Sequence, residues 1–379
     1  MRAALALPAA LALGSALSSC GDEPLGAPRP GGGSGSKDDG GLNIGDDGAP
    51  PPLDAGGLCG NQLHQVVTDA PNIYFLIDAS GSMATLAPGG GTRYERFQDA
   101  AIDLVRRLGA LINVGAAVFP LDAESDGCHV GGEVLAVSPG DPYVEGQGDG
   151  PTTWAFYGAT SLSPFGGTPL ASTLEALTPS LGQLEGKTIV LLATDGGPNC
   201  NPAVSCPPEE CIPYVEGQCD ASCCTSTGLA GPTGCVDRAA AIAAVSGIAA
   251  TGIDVYVLGI PGSELYGDVL DDMAVAGGAP RFVSPFYYKI DDLDALSGVL
   301  GEIAAVVVSC EFDLQDPPPE DGKTNVYLDG QIVPYSETSG WRWKGAAVVE
   351  LVGEACQRLK GGQVRQVQIV SGCPTEVAE

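Results

Sequence analysis

The apolar runs "NIYFLID" (72–78) and "TIVLLATD" (188–195) each end in a carboxylate, Asp78 and Asp195. A carboxylate at the end of a buried strand is costly unless something compensates its charge. If the two strands are neighbours, both carboxylates converge on one rim, where like charges raise each other's pKa or recruit a cation. The other polar groups placed there are hydroxyls. Ser80 and Ser82 follow Asp78 at steps of two, and Thr168 sits in "FGGTPL". An all-oxygen set with few carboxylates suits Mg²⁺ or Mn²⁺, which keep several waters in octahedral geometry. The chain's two histidines, His64 and His129, argue against His-based catalysis.

Such a rim requires a particular scaffold. After the strand 72–78, "RYERFQDAAIDLVRRLGAL" (93–111) repeats Phe97, Ala101, Leu104, Val105 and Leu108 at helical spacing. "NVGAAVF" (113–119) and "EVLAV" (133–137) read as strands, the second short and edge-like. "PLASTLEALTPSL" (169–181) reads as a helix with Pro169 at its first position. Helices over 238–250, 264–277 and 293–308 alternate with strands over 253–260 and 281–283 ("RFV"). Apolar strands alternating with amphipathic helices specify an α/β fold, a mostly parallel sheet covered on both faces. Ligands of such sheets bind at the carboxyl ends of the strands, where Asp78 and Asp195 stand.

"DASGS", "GGTP" and "ATDGGPN", in that order after matching strands, resemble the von Willebrand factor type A domain over residues 70–309. Its metal-ion-dependent adhesion site has the pattern D-x-S-x-S, then T, then D, and Asp78, Ser80, Ser82, Thr168 and Asp195 fill it without a gap. The resemblance implies a Rossmann-like sheet of about six strands with one antiparallel edge, the place of "EVLAV". It implies Ser80, Ser82 and Thr168 as direct metal ligands, with the aspartates acting partly through water. It also implies that a ligand's own carboxylate completes the metal shell. A haloacid-dehalogenase-type phosphatase would need a second acid where Ser80 stands. A nucleotide site would need a Gly-rich loop followed by Lys, which the sequence lacks.

The departure from that family is the segment 197–235, which holds seven cysteines between 200 and 235. It leaves the strand carrying Asp195, so it begins on the metal rim. The loop after 113–119 brings Cys128 to the same rim. Cys128, Cys200, Cys206, Cys211, Cys219, Cys223, Cys224 and Cys235 therefore form one expected disulfide group. Eight cysteines allow 105 connectivities, so the pairs stay open, except that adjacent Cys223 and Cys224 should have different partners. A zinc site is disfavoured because no CxxC repeat or nearby histidine accompanies the cysteines. The insertion reads either as a stapled collar shaping the ligand surface or as an ordered, protease-resistant loop. Cys59 and Cys310 flank the domain and are expected to pair, closing a loop of about 250 residues worth about 4–5 kcal/mol in the chain-entropy model. That leaves Cys356–Cys373.

The ends of the chain carry addressing and packing signals, and residues 311–379 show no chemistry. Residues 1–19 read as an export signal, with Arg2 before a short Ala/Leu run. "LSSC" resembles the lipobox of bacterial lipoproteins, which implies lipid on Cys20. Removing Cys20 from the 13 cysteines leaves an even number, as a disulfide set in an exported chain requires. Gly21 after the lipidated position leans towards outer-membrane sorting. Residues 20–57 are a Gly/Pro/Asp-rich tether. The α/β domain is expected over 58–310, followed over 311–379 by a small β-module with a hairpin at Asp329-Gly330 and Trp341 and Trp343 packed inside.

A formal charge of −30, from 17 Lys and Arg against 47 Asp and Glu, makes nucleic acid and anionic membrane surfaces poor partners. The resemblances imply a non-enzymatic function: a lipid-anchored cell-envelope protein binding a protein or other carboxylate-bearing ligand through Mg²⁺ or Mn²⁺. The alternative is a structural or assembly factor docking to other envelope proteins, in which the metal only orders loops. A metal-dependent hydrolase would need a positioned base, and Glu209 and Glu210 are the only nearby acids to test.

Overall fold

A computed structural model describes residues 59–60, 62–64, 66–67, 69–121 and 127–378. The expected export signal, Cys20 and the tether lie outside the described residues. Two short strands come first, β1 (Gln62–Leu63) and β2 (Val66–Val67). The α/β part then runs β3 (Asn72–Asp78), α1 (Arg93–Leu108), β4 (Asn113–Phe119), β5 (Gly132–Pro139), α2 (Pro151–Thr160), α3 (Leu170–Leu181) and β6 (Thr188–Thr194). It continues with α4 (Ile212–Val215), α5 (Arg238–Ala249), β7 (Asp254–Gly259), α6 (Gly267–Ala276), β8 (Tyr288–Lys289) and α7 (Leu296–Val307). Six strands form one sheet in the order β5-β4-β3-β6-β7-β8. All of its pairings are parallel except β4 with β5, the edge strand.

The fold is thus the mostly parallel α/β sheet that the apolar strands require. On β3 the side chains divide between two layers. Ile73, Phe75 and Ile77 pack with α1 and α7, whereas Tyr74 and Leu76 pack with α3, α5 and α6. Every residue of β3 and β6 is buried. Fully burying such side chains contributes roughly 1.5–3 kcal/mol each, which is what makes the central pair rigid.

Several local expectations differ from the structure. Residues 281–283 are not a strand. Prolines at 280 and 285 bracket them, Arg281 N donates to Phe286 O, Phe282 is fully exposed, and the sixth strand is β8. Pro169 precedes α3 instead of starting it. Helix α1 stops at Leu108, because Gly109 adopts φ +49° and turns the chain into a 3₁₀ segment over Gly109–Leu111. Helix α2 has no clear amphipathic repeat, and its cap is not local. Asp141 accepts from Thr152 N (2.9 Å), Thr153 N (2.7 Å) and Thr153 Oγ1 (2.7 Å).

The β-module is larger than expected and is not purely C-terminal. It comprises β9 (Glu311–Leu314), β10 (Thr324–Leu328), β11 (Gln331–Val333), β12 (Gly340–Gly345), β13 (Val348–Val352), α8 (Glu354–Lys360) and β14 (Val367–Ser371). These form two four-stranded sheets, β1-β14-β10-β11 and β12-β13-β9-β2, each completed by a strand from before the α/β part. The domain boundary therefore moves: residues 62–67 belong with the β-module, not with the α/β unit expected from 58. The β10–β11 hairpin turns at Asp329 (φ +51°) and Gly330 (φ +76°), the two positive φ values of a tight hairpin turn. Trp341 is fully buried among Phe312, Val349 and Leu351, with Trp343 and Tyr335 edge-on to it.

That boundary overturns two disulfide expectations. Cys59 pairs with Cys373, not Cys310, and Cys310 pairs with Cys356. The physical reason is strand pairing. Gln62 lies opposite Ser371 in the β1–β14 ladder, which brings Cys59 to Cys373. Glu311 lies opposite Glu350 in the β9–β13 ladder, and α8 follows β13, which brings Cys356 to Cys310. The expected group of eight closes on itself as Cys128–Cys200, Cys206–Cys235, Cys211–Cys224 and Cys219–Cys223. Cys223 and Cys224 do take different partners.

Candidate functional site

The parallel strands β3 and β6 are hydrogen-bonded neighbours, so their carboxyl ends deliver Asp78 and Asp195 to one rim. Asp78 is fully buried. Its Oδ1 accepts from Ser80 N (2.8 Å) and its Oδ2 from Thr194 Oγ1 (2.5 Å). Ser80 Oγ lies 3.1 Å from Ser82 Oγ, which donates to Asp195 Oδ1 at 2.7 Å. Burial first, and then the charge of Asp195, push the Asp78 carboxyl up to about 7. Burial also raises Asp195, against the pull of Ser82 and Arg93.

Arg93, the first residue of α1, donates from Nη1 to Asp195 Oδ2 at 2.6 Å. It is the cation that compensates the pair within the protein. Gly262 (φ +118°) lies against the guanidinium so closely that a Cβ there would stand 2.4 Å from Nη1.

Thr168 reaches the same rim on a glycine loop. Gly166 has φ +71°, and a Cβ on it would stand 2.3 Å from Gly127 O. Separately, Gly81 N donates to Gly166 O (2.9 Å), which ties the D-x-S-x-S loop to the loop carrying Thr168. Thr168 N donates to Asn199 Oδ1 (2.7 Å), and Asn199 N returns a bond to Thr168 O (2.9 Å). The hydroxyls of Ser82 and Thr168 both lie over Gly196, 3.7 Å and 4.0 Å from where its Cβ would be. The five residues singled out in sequence are thus together at one rim.

Above them opens a cleft of about 610 Å³. Ser80, Ser82, Thr168 and Asp195 line its floor, and Ile212, Pro213, Glu216 and Gln218 of the insertion form part of its wall. Glu209 and Glu210 are exposed and do not line it. His64 lies in the β-module, bonded to Ser371 Oγ at 2.7 Å. The sulfurs of Cys206, Cys224 and Cys235 lie within 4.8 Å of one another, but each is in a disulfide and offers no thiolate to a metal. Sequence reading missed Arg93, Thr194, Asn199 and Glu216. Arg93 had a visible signal, a basic residue opening the helix that follows the D-x-S-x-S loop. The others come into place only by folding.

The donor set fits a hard divalent ion: hydroxyls and carboxylate oxygens in one connected chain, a buried acidic pair, and no sulfur or imidazole among the lining residues.

The sequence matches no protein-family model and no curated protein. Among solved structures the similarity is partial, with TM-scores below 0.5. The PilB minor pilin from Streptococcus sanguinis is 18% identical over 62% of this chain and 60% of its own, at a TM-score of 0.40. The pilus adhesin SpaC from Lactobacillus rhamnosus GG is 16% identical over 82% of this chain and 40% of its own, at 0.45. The vWF domain of the type V pili tip protein Mfa5 from Porphyromonas gingivalis is 12% identical over 64% of this chain and 96% of its own, at 0.44. The chain thus spans about two fifths to three fifths of the pilin and the adhesin.

Proposed function

We propose that the rim is a metal-centred binding site and that the protein is a non-enzymatic binder of a protein or other carboxylate-bearing ligand. Ser80, Ser82 and Thr168 would hold Mg²⁺ or Mn²⁺ directly, with Asp78 and Asp195 behind them. The ion supplies a Lewis-acidic position that a ligand carboxylate completes. The observation that carries this reading is the connected run Asp195–Ser82–Ser80, with buried Asp78 beside it at the end of a parallel strand pair. On this reading Cys20 carries lipid, and the protein sits in the bacterial cell envelope, in the outer membrane, held out on its tether.

Calorimetric titration with Mg²⁺ and Mn²⁺ tests it on the compact unit from Pro51 and its Asp78→Ala variant. Saturable binding in the wild type and none in the variant is expected. A metal at one hundred times its Kd should stabilise the native state by about 2.7 kcal/mol, visible as a higher Tm. Absence of binding in the wild type removes the metal reading.

The Arg93–Asp195 ion pair favours a second reading, because it compensates part of the rim charge without metal. In it the protein docks to envelope partners structurally, and the ion only orders loops. Partner capture that persists in chelator would select that reading. Turnover of a substrate by the purified protein would select a hydrolase.

A further inference from the structure

The cleft's insertion wall carries a carboxylate of its own. Glu216 closes the short helix α4, and both of its oxygens are engaged: Oε1 accepts from Tyr266 Oη at 2.9 Å and Oε2 from Gln218 Nε2 at 2.9 Å. Tyr266 comes from a different element, the turn between β7 and α6, and its ring packs against Gly197. Glu216 is therefore held between two walls of the cleft, over a floor that already contains Asp195. Burial and the neighbouring Glu216 charge keep the Tyr266 hydroxyl protonated, so it remains a donor.

The charges around the cleft do not cancel. Arg93 is the one basic residue among those lining it, and Arg93 is committed to Asp195. A divalent ion together with Arg93 leaves the floor one positive charge over Asp78 and Asp195, which a ligand carboxylate neutralises. Glu216 then faces the ligand without a counter-charge. Beside it Ile212, Pro213 and Leu265 offer an apolar shoulder of the kind that accepts the methylene stem of a long basic side chain.

We infer that the cleft selects a peptide segment in which the metal-seeking carboxylate is flanked by lysine or arginine, with Glu216 receiving that cation. The inference rests on the metal-ion reading above and adds the ligand class to it. Glu216 acts as a filter as well, since a ligand with a second acid at that position meets like charge.

The test uses immobilised acetylated peptides with one aspartate in a glycine background and a lysine, serine or glutamate placed one to three residues to either side. Binding is read with and without Mg²⁺, and Mg²⁺ affinity is measured separately by calorimetry. The lysine peptides should bind about three- to tenfold more tightly than the serine ones, and the glutamate peptides more weakly than either, as expected for one partly exposed charge pair. Glu216→Gln, which keeps the shape and the Tyr266 hydrogen bond, should bring the lysine preference to within about twofold and leave Mg²⁺ affinity unchanged. Glu216→Lys should invert the order. Equal binding of all peptides, or a preference that survives Glu216→Gln, overturns the inference while leaving the metal site standing. A loss of Mg²⁺ affinity in Glu216→Gln also overturns it, because Glu216 would then be a metal ligand. Absence of Mg²⁺ binding in the wild type fails both readings.

Discussion

Asp195 is shared between two uses, because Ser82 binds one of its oxygens and Arg93 the other. Removing one partner of a largely buried pair leaves an uncompensated charge, and the Arg93 side chain is only 20% exposed. Arg93→Ala should therefore destabilise the metal-free protein by about 3 kcal/mol, since breaking such pairs is strongly unfavourable. Mg²⁺ should restore more of that loss than it adds to the wild type, because it supplies the missing cation. Thermal melts of both proteins with and without Mg²⁺ check this, and equal metal-induced shifts would refute it. The five site residues were legible in sequence because spacing after apolar strands fixes where they emerge. Glu216 was not, because a side chain that arrives from an insertion without periodicity leaves no local pattern, whereas Arg93 had a signal in its place at the start of α1 that went unread.

Helix α2 shows how an element can be hidden. Its residues include Pro, Gly and three Thr, and its cap comes from Asp141, ten residues upstream of Pro151 on the far side of a loop. Asp141→Ala should cost about 1–2 kcal/mol, the usual range for a helix cap, read as a lower Tm. Phe156 of α2 packs edge-on to Phe75 at 5.0 Å between ring centroids, so the loss should reach the central sheet. His64, which follows β1, carries a pH response. Burial pushes His64 below its ordinary pKa of 6.5, against the opposing influence of Asp316. The folded state thus resists the proton that the unfolded chain accepts, so stability falls as the pH drops below about 6.5. His64→Gln should flatten this part of the pH–Tm profile between pH 7 and pH 5. Strands β3, β4, β6 and β7 and helices α1, α3, α5, α6 and α7 were readable from their periodicity, whereas α2, β8, β1 and β2 were not. Two-residue strands have no period to detect, and the partners of β1 and β2 lie about 310 and 250 residues away.

At the scale of the molecule, Cys59–Cys373 spans 314 residues and ties both ends of the described chain into one sheet. In the chain-entropy model a loop of that length is worth about 6 kcal/mol. The double variant Cys59→Ser, Cys373→Ser should show that loss in urea midpoint while the rim still binds metal, because the bridge lies in the β-module and not at the site. The acidic surface predicts a further response. With a net charge of −30, raising ionic strength should increase Tm by screening self-repulsion.

The β-module meets the α/β part at the foot of the sheet, where Gly362 lies against Arg107 and Leu108, and the chain passes from β2 directly into the start of β3. The rim is at the other end of that same strand. A tensile load applied between a bound partner and the N-terminal side would therefore run lengthwise along β3, whose register with β4 and β6 spans nearly its whole length. Such a load shears all of those hydrogen bonds together instead of unzipping them one at a time. Near the point where it enters, the covalent Cys59–Cys373 link bears it first. One strand, β3, therefore runs from the N-terminal side of the α/β part to the rim that carries Asp78.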